Sequence, residues 1–237
     1  MANSIYSTLS RQSGLMKEMQ VVANNIANVS TTGYRREGVI FAEHVASLEG
    51  DAPSLSMAYA LGRNVNTAQG PLSGTGGTFD FAIEGEGFFM IETPEGNQLT
   101  RAGSFTPSPE GELVTMDGYR LLDSGGGPIT VPPDAQIAVG QDGSMSANGE
   151  PIALLGVYVP TDPTGLVHAG GTRFTVEGDP LAVENPVILQ GYIEESNVDP
   201  IMEVARMIEV QRAYEMGQTF LEREDERIRK VISTVTS

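Results

Sequence analysis

The sequence predicts an α+β protein: an antiparallel, β-rich central domain inserted between long N- and C-terminal helices that pair in a coiled-coil-like bundle. Three observations carry this. Long helical apolar spacing is confined to the two ends. Short alternating segments punctuated by turn pairs fill the middle. The formal net charge of −17 also sits in the middle: residues 64–205 hold three basic residues against twenty acidic, whereas 1–63 and 206–237 are each balanced. Balanced helical ends can pack against copies of themselves without summed repulsion, and an acidic middle favours water and disfavours nucleic acid.

The first helix is expected over about Ser4–Asn28. Ile5, Leu9, Met16, Met19, Ala23 and Ile26 recur in steps of four and three, with Gln12 as the polar member. Leu15, Val22 and Val29 flank that stripe and widen it. Asn3 or Ser4 can cap the start, and Thr31-Thr32-Gly33 supplies the stop, with Gly33 able to take positive φ. An isolated helix of this length is marginal in water, so it needs a partner.

The last helix supplies one. Asp199-Pro200 reads as an N-cap followed by proline at the first helical position. Met207, Tyr214, Leu221, Ile228 and Val235 recur every seven residues, a spacing that calls for left-handed coiled-coil packing. Val204 and Ile232 are placed in the same seam, with Gln211, Gln218 and Asp225 at its other positions. That half-polar second column suits a helix touching several neighbours.

Between the helices, residues 78–84 alternate with Phe79, Phe81 and Ile83 on one face, and Gly87–Ile91 is a short apolar run. Turn signals follow at Glu95-Gly96-Asn97, Glu110-Gly111, Asp117-Gly118, Asp142-Gly143 and Asn148-Gly149. Residues 154–159 and 187–189 read as further strands. Short strands with frequent turns indicate a sandwich or small barrel. The Gly-, Ser- and Asn-rich stretch 44–77 reads as a loosely structured connector. The expected division is therefore 1–43 helical, 44–77 connector, 78–190 β-rich and 191–237 helical.

The chemistry of an enzyme is not legible. The chain has no cysteine, hence no thiol nucleophile and no Cys-ligated zinc. Gly74-Thr75-Gly76-Gly77 completes neither a dinucleotide fingerprint nor a P-loop and reads as a turn. His44 and His168 sit in no ligand pattern. Asp142-Gly143-Ser144 lacks the spaced carboxylates of a calcium loop. No catalytic, cofactor or metal residue is assigned, and no cofactor is expected. No run of about 18 apolar residues suggests a membrane span, and no basic region followed by an apolar one suggests a cleaved signal peptide.

Three separated segments carry a resemblance. The run Val21–Tyr34, containing Asn24-Asn25-Ile26-Ala27-Asn28 and Thr31-Thr32-Gly33-Tyr34, is similar to the N-terminal signature of the flagellar rod, hook and hook-associated axial proteins. Residues 190–217, from Gln190-Gly191-Tyr192 to Gln211-Arg212-Ala213-Tyr214, resemble the matching C-terminal signature. Phe81–Phe89 and Thr100–Phe105 resemble the central domain shared by the rod and hook proteins. Within that family the ends resemble most the proximal-rod members, with distal-rod and hook-type proteins as the alternative.

The resemblance implies a structural subunit whose terminal helices line the inside of a rod and whose β domain faces outward. It implies partners among other rod proteins and copies of the chain itself. It further implies export through the flagellar type III apparatus to a periplasmic rod in the basal body, with neither nucleic acid nor membrane insertion. The expected assembly interface comprises Ile5, Leu9, Met16, Met19, Val22, Asn24, Asn25, Ile26, Asn28, Val204, Met207, Gln211, Arg212, Tyr214, Leu221, Ile228, Ile232 and Val235. The asparagines are expected to hydrogen-bond between helices or cap turns, with Arg212 and Tyr214 making interfacial contacts. A competing class is a cell-wall-acting enzyme or carbohydrate-binding module using the helices as a dimer handle.

Overall fold

The computed structural model describes residues 2–46 and 55–235; the side chains of 2–6, 42–61, 163 and 235 lie outside the description. The chain divides into two compact units.

The helical unit takes 1–27, 37–64 and 199–237. It holds helix α1 (Ala2–Ala27), helix α2 (Pro200–Val235) and the strand pair Glu37–Ala46 with Leu55–Val65. Residues 44–46 and 55–65 of the expected connector are thus strand, as are 37–43 of the expected N-terminal helical segment. The connector's Gly, Ser and Asn content misled, because paired strands tolerate polar residues wherever their backbone groups satisfy each other.

α2 begins as its sequence predicts. The Asp199 carboxylate accepts hydrogen bonds from the backbone N–H of Ile201 (2.9 Å) and Met202 (3.1 Å), and Pro200, which has no N–H to satisfy, follows directly. No helix among the described residues is long and apolar enough to cross a membrane.

The β unit takes 28–36 and 65–198. Its largest sheet has nine strands and every pairing is antiparallel. Phe88–Thr93 is central, with Gly96–Thr100 on one edge and Val157–Val159 and Arg120–Leu121 on the other. Alternation sends Phe89 and Ile91 into one apolar cluster, with Phe81, Phe105, Leu121 and Met145. Phe88 and Met90 enter a second, with Leu99, Tyr158 and Phe174. Both faces are buried, which is why this strand reads as an unbroken apolar run. Phe105 meets Phe89 edge-on at 5.7 Å and Phe81 at 6.1 Å, and Phe88 meets Phe174 at 5.8 Å.

A separate three-stranded sheet joins Ile137–Val139, Ser144–Ala147 and Glu150–Leu154. Its second turn is Asn148-Gly149, with φ of 52° and 87°, the two positive values a tight two-residue hairpin requires. The expected strand over 154–159 is interrupted: Glu150–Leu154 ends before Gly156 and Val157–Val159 begins after it. The remaining pairs are Phe81–Glu84 with Val187–Gln190 and Leu72–Gly74 with Tyr192–Glu194. These draw the end of the β unit back to its beginning.

Candidate assembly surface

α1 and α2 lie antiparallel, and three polar contacts set their register. The Gln12 side-chain amide donates to the Tyr214 carbonyl at 3.0 Å. Arg206 pairs with the Glu18 carboxylate at 2.5 Å. The Asn25 amide donates to Glu203 at 3.0 Å. Gly217 lets the helices approach at the first of these: a Cβ there would lie 2.7 Å from the Gln12 amide nitrogen.

The buried seam alternates steps of four and three. On α2 it runs Glu203, Met207, Val210, Tyr214, Gly217, Leu221 and Glu224, each buried or half-buried. Opposite lie Leu15, Glu18, Val21, Val22 and Asn25 of α1, all buried. The column Met207, Tyr214 and Leu221 therefore faces α1. The second column is a correction: Val204, Gln211, Gln218, Asp225 and Ile232, expected to complete the seam, are exposed, and Glu203, Val210, Gly217 and Glu224 take that place. A seven-residue column is compatible with a second column three or four residues on. Val204 and Ile232 made the wrong one look apolar, whereas two glutamates and a glycine hid the right one.

The other expected interface residues divide. Val22 is buried, and Met19, Ile26 and Asn28 are half-buried. Leu9 and Met16 are 48% and 41% exposed. Asn24, Gln211, Arg212 and Ile228 are exposed. Ile5 and Val235 have side chains outside the described residues, as does His44, which is not assigned to the interface. Asn28 accepts from the Thr31 hydroxyl at 3.1 Å. The turn ends with Gly33 at φ 71°, where a Cβ would meet the Ala102 backbone nitrogen at 2.2 Å.

Asn25 is fully buried and does more than cross the helix pair. Its oxygen accepts from the Glu37 N–H at 2.9 Å, and its nitrogen donates to the Glu37 carbonyl at 2.8 Å as well as to Glu203. The side-chain amide docks on the Glu37 backbone as a neighbouring strand would. One residue thereby fixes α1, α2 and the first strand of the pair. Arg63 reaches the Glu37 carboxylate from the second strand at 3.2 Å.

The β unit holds a second buried polar site that sequence reasoning missed. Glu194 lies between Arg35 and Arg101, all three no more than 2% exposed. Arg35 reaches one Glu194 oxygen at 2.5 Å and Arg101 the other at 2.8 Å. Arg35 also donates to the Ala68 carbonyl, Arg101 to the Ile83 and Gly85 carbonyls, and the Gly70 N–H to Glu194. Burial pushes the Arg101 guanidinium down to about 10, against the pull of Glu194, and lowers Arg35 too. The site ties together segments near residues 35, 68–70, 83–85, 101 and 194. Nearby, the Asn197 side chain accepts from the Arg36 N–H and donates to the carbonyls of Asn66 and Ala68.

The turn candidates close on themselves through local hydrogen bonds. Asp142 accepts from the Ser144 N–H and hydroxyl, which lowers its carboxyl below the ordinary range and makes a local turn. Thr75 bridges to Asp80 within the glycine-rich turn. His168 lies in the strand Val167–Gly170 and packs edge-on against Phe174 at 5.1 Å. Among the described residues no three His, Asp or Glu side chains group as a metal would need.

Three family matches span these units in order. Residues 5–35 match the flagella basal body rod protein family, 82–147 the flagellar hook protein FlgE/F/G D1 domain, and 189–234 the flagellar basal body rod FlgEFG protein C-terminal family. The chain is 40% identical over 222 residues to the flagellar basal-body rod protein FlgF of Caulobacter vibrioides, covering 91% of this chain and 90% of that one. It is 36% identical to FlgF of Rhizobium meliloti, over 99% and 98% of the two chains. It is 30% identical to the flagellar basal-body rod protein FlgG of Bacillus subtilis, over 98% and 99%. The N-terminal match holds Asn25 and Arg35, and the C-terminal match holds Glu194, Glu203 and the whole α2 seam through Glu224. On these matches and this architecture, the chain belongs to the flagellar basal-body rod protein family.

Proposed function

We propose that the chain is a structural subunit of the flagellar basal-body rod, in its proximal segment, and that it assembles through α1 and α2 into part of the shaft that transmits torque. The observation that carries this is the near end-to-end similarity to basal-body rod proteins, higher to the FlgF relatives above than to the FlgG of Bacillus subtilis. The helix pair suits the role: it buries one seam and leaves Leu9, Met16, Val204, Ile208, Met216 and Ile228 exposed. Such stripes are stabilised by neighbouring subunits. The remaining interface residues, Arg212 and Asn24 among them, belong to the same surface. Coiled-coil packing of the helices, delivery by the type III apparatus and a periplasmic position complete the reading, which assigns catalysis and cofactors to no residue.

Deleting the gene in its source bacterium and expressing a tagged copy tests it. Non-motile cells with truncated rods, restored by a tagged chain that co-purifies with basal bodies at the proximal end of the rod, are expected. Motile deletion cells with full-length rods overturn the rod role. A tag at the distal end moves the chain to the distal segment.

A further inference from the structure

The geometry points to a binding site for an acidic sugar in the β unit: a cavity in which the Arg173 guanidinium takes the ligand's carboxylate and the surrounding side chains take its ring hydroxyls. The site involves neither terminal helix and goes beyond the rod-subunit reading.

Residues 64–205 contain three cations. Arg101 is buried against Glu194. Arg120 is clamped by Glu112 at 2.7 Å and by Glu92 at 3.1 Å. Arg173 pairs with no carboxylate among the described residues, yet it is held in place. Its guanidinium carbon lies 4.6 Å from the centre of the Tyr119 ring, and Nη1 donates to the Gln98 side chain at 3.1 Å. Nε is buried and meets no acceptor. Nη2 also has no acceptor among the described residues, and unlike Nε it is not sealed off. Stacking fixes the plane of the group, and one hydrogen bond out of five possible donors leaves it under-satisfied. A carboxylate is the acceptor that suits such a preorganised guanidinium best.

Arg173 lines a cavity of about 310 Å³, at the small end of small-molecule sites. Five threonines and Ser104 share that lining. The half-buried Thr32 and Ser104 hydroxyls bond to no other described side chain or backbone group. Asp80 and Asp117 add carboxylates, and Ala102 and Ile193 an apolar wall. These groups select among ligands. A bare anion meets Asp80 and Asp117 in a strongly acidic region and is repelled. A neutral sugar leaves Arg173 unmatched. A zwitterion answers the charges but not the hydroxyls. A sugar carrying one carboxylate answers all three, because its hydroxyls both donate and accept, carboxylates accept from them, and its C–H face suits the apolar wall.

Saturation-transfer NMR on the full chain tests this with D-glucuronate, D-glucose, acetate and glycine as probes. Glucuronate is expected to saturate at low millimolar concentration, at least about tenfold tighter than glucose. Arg173→Gln is expected to abolish that preference and leave glucose binding unchanged. Thr32→Val and Ser104→Ala are each expected to weaken both sugars about threefold or more. Circular dichroism checks the fold of every variant, and if Arg173→Gln lowers it, the two hydroxyl variants decide. Glucuronate that does not saturate by about 20 mM, or that binds no tighter than glucose, acetate or glycine, overturns the inference. So does glucuronate binding that is unchanged in a folded Arg173→Gln variant or in both hydroxyl variants. Recovery in basal bodies judges the rod reading separately, so either can fail without the other.

Discussion

The two units are held together in opposite ways. In the β unit, Phe81, Phe89, Ile91, Leu113, Leu121 and Phe174 lose essentially all contact with water, and two apolar clusters back the same central strand. In the helical unit the described buried apolar side chains are few, chiefly Leu15, Val21, Val22 and Val210. Asn25, Glu18 and Glu203 are buried among them. The β unit is stabilised by its own core. The helical unit uses buried polar contacts to fix which residues face each other, and leaves much of its apolar surface exposed. Burial of this kind sets register more than it adds stability.

The sharpest break of that contrast is Phe89→Ala. It removes a fully buried ring from the first cluster and is expected to cost the β unit about 3–5 kcal/mol. Urea denaturation followed by tyrosine fluorescence checks it. A loss below about 1 kcal/mol would mean that the cluster is not the unit's main support.

Glu194→Gln is expected to approach that effect, about 3 kcal/mol, because it leaves two buried guanidinium groups without their shared carboxylate. A triple variant, Arg35→Met, Glu194→Leu and Arg101→Leu, is expected to recover most of the loss, since nothing charged then remains buried. If the triple variant is less stable than the single one, the site contributes net stability and not only specificity.

Asn25→Ala is expected to cost the helical unit about 2–3 kcal/mol by stranding the Glu37 N–H and removing the amide that donates to Glu203. Hydrogen exchange resolves where the loss falls. Amides of α1 and α2 are expected to exchange faster than in the wild type, with Phe88–Thr93 unchanged. In the wild-type monomer itself, α1 is already expected to exchange faster than that strand.

Smallest on folding are Leu9→Ser and Met16→Ser, each within about 0.5 kcal/mol in the monomer because both side chains are already exposed. Their effect is expected in motility and rod incorporation instead. A large fall in monomer stability would show that this stripe is internal, and the contrast between the units would weaken.

Much of this was legible in the sequence wherever the signal is local. Asp199-Pro200 marks the helix start, Thr31-Thr32-Gly33 the turn, Asn148-Gly149 the hairpin and Gly87–Ile91 the doubly buried strand. What stayed hidden depends on partners distant in the chain. Arg35, Arg101 and Glu194 look like ordinary surface charges until the fold gathers them. Glu203 and Gly217 look like poor seam residues until Asn25 and Gln12 meet them. Asn25 was singled out as a hydrogen-bonding residue, but its hold on the Glu37 backbone has no sequence pattern. Residues 44–46 and 55–65 lie in the stretch expected as a connector, and they are strand although their sequence alternates only weakly.

The carboxylate of Glu194 also imposes an order of events. Its partners Gly70 and Arg101 lie 124 and 93 residues earlier in the chain, and the strand that bears it pairs with Leu72–Gly74 near the opposite end of its unit. Contacts that span so much chain form late, after the entropy of closing the long loop has been overcome. A chain presented from its N-terminus therefore cannot close its β unit until nearly all of it has arrived. The two arginines remain hydrated and the segments around them open until then, so completion of the fold reports that the chain has been delivered as far as Glu194.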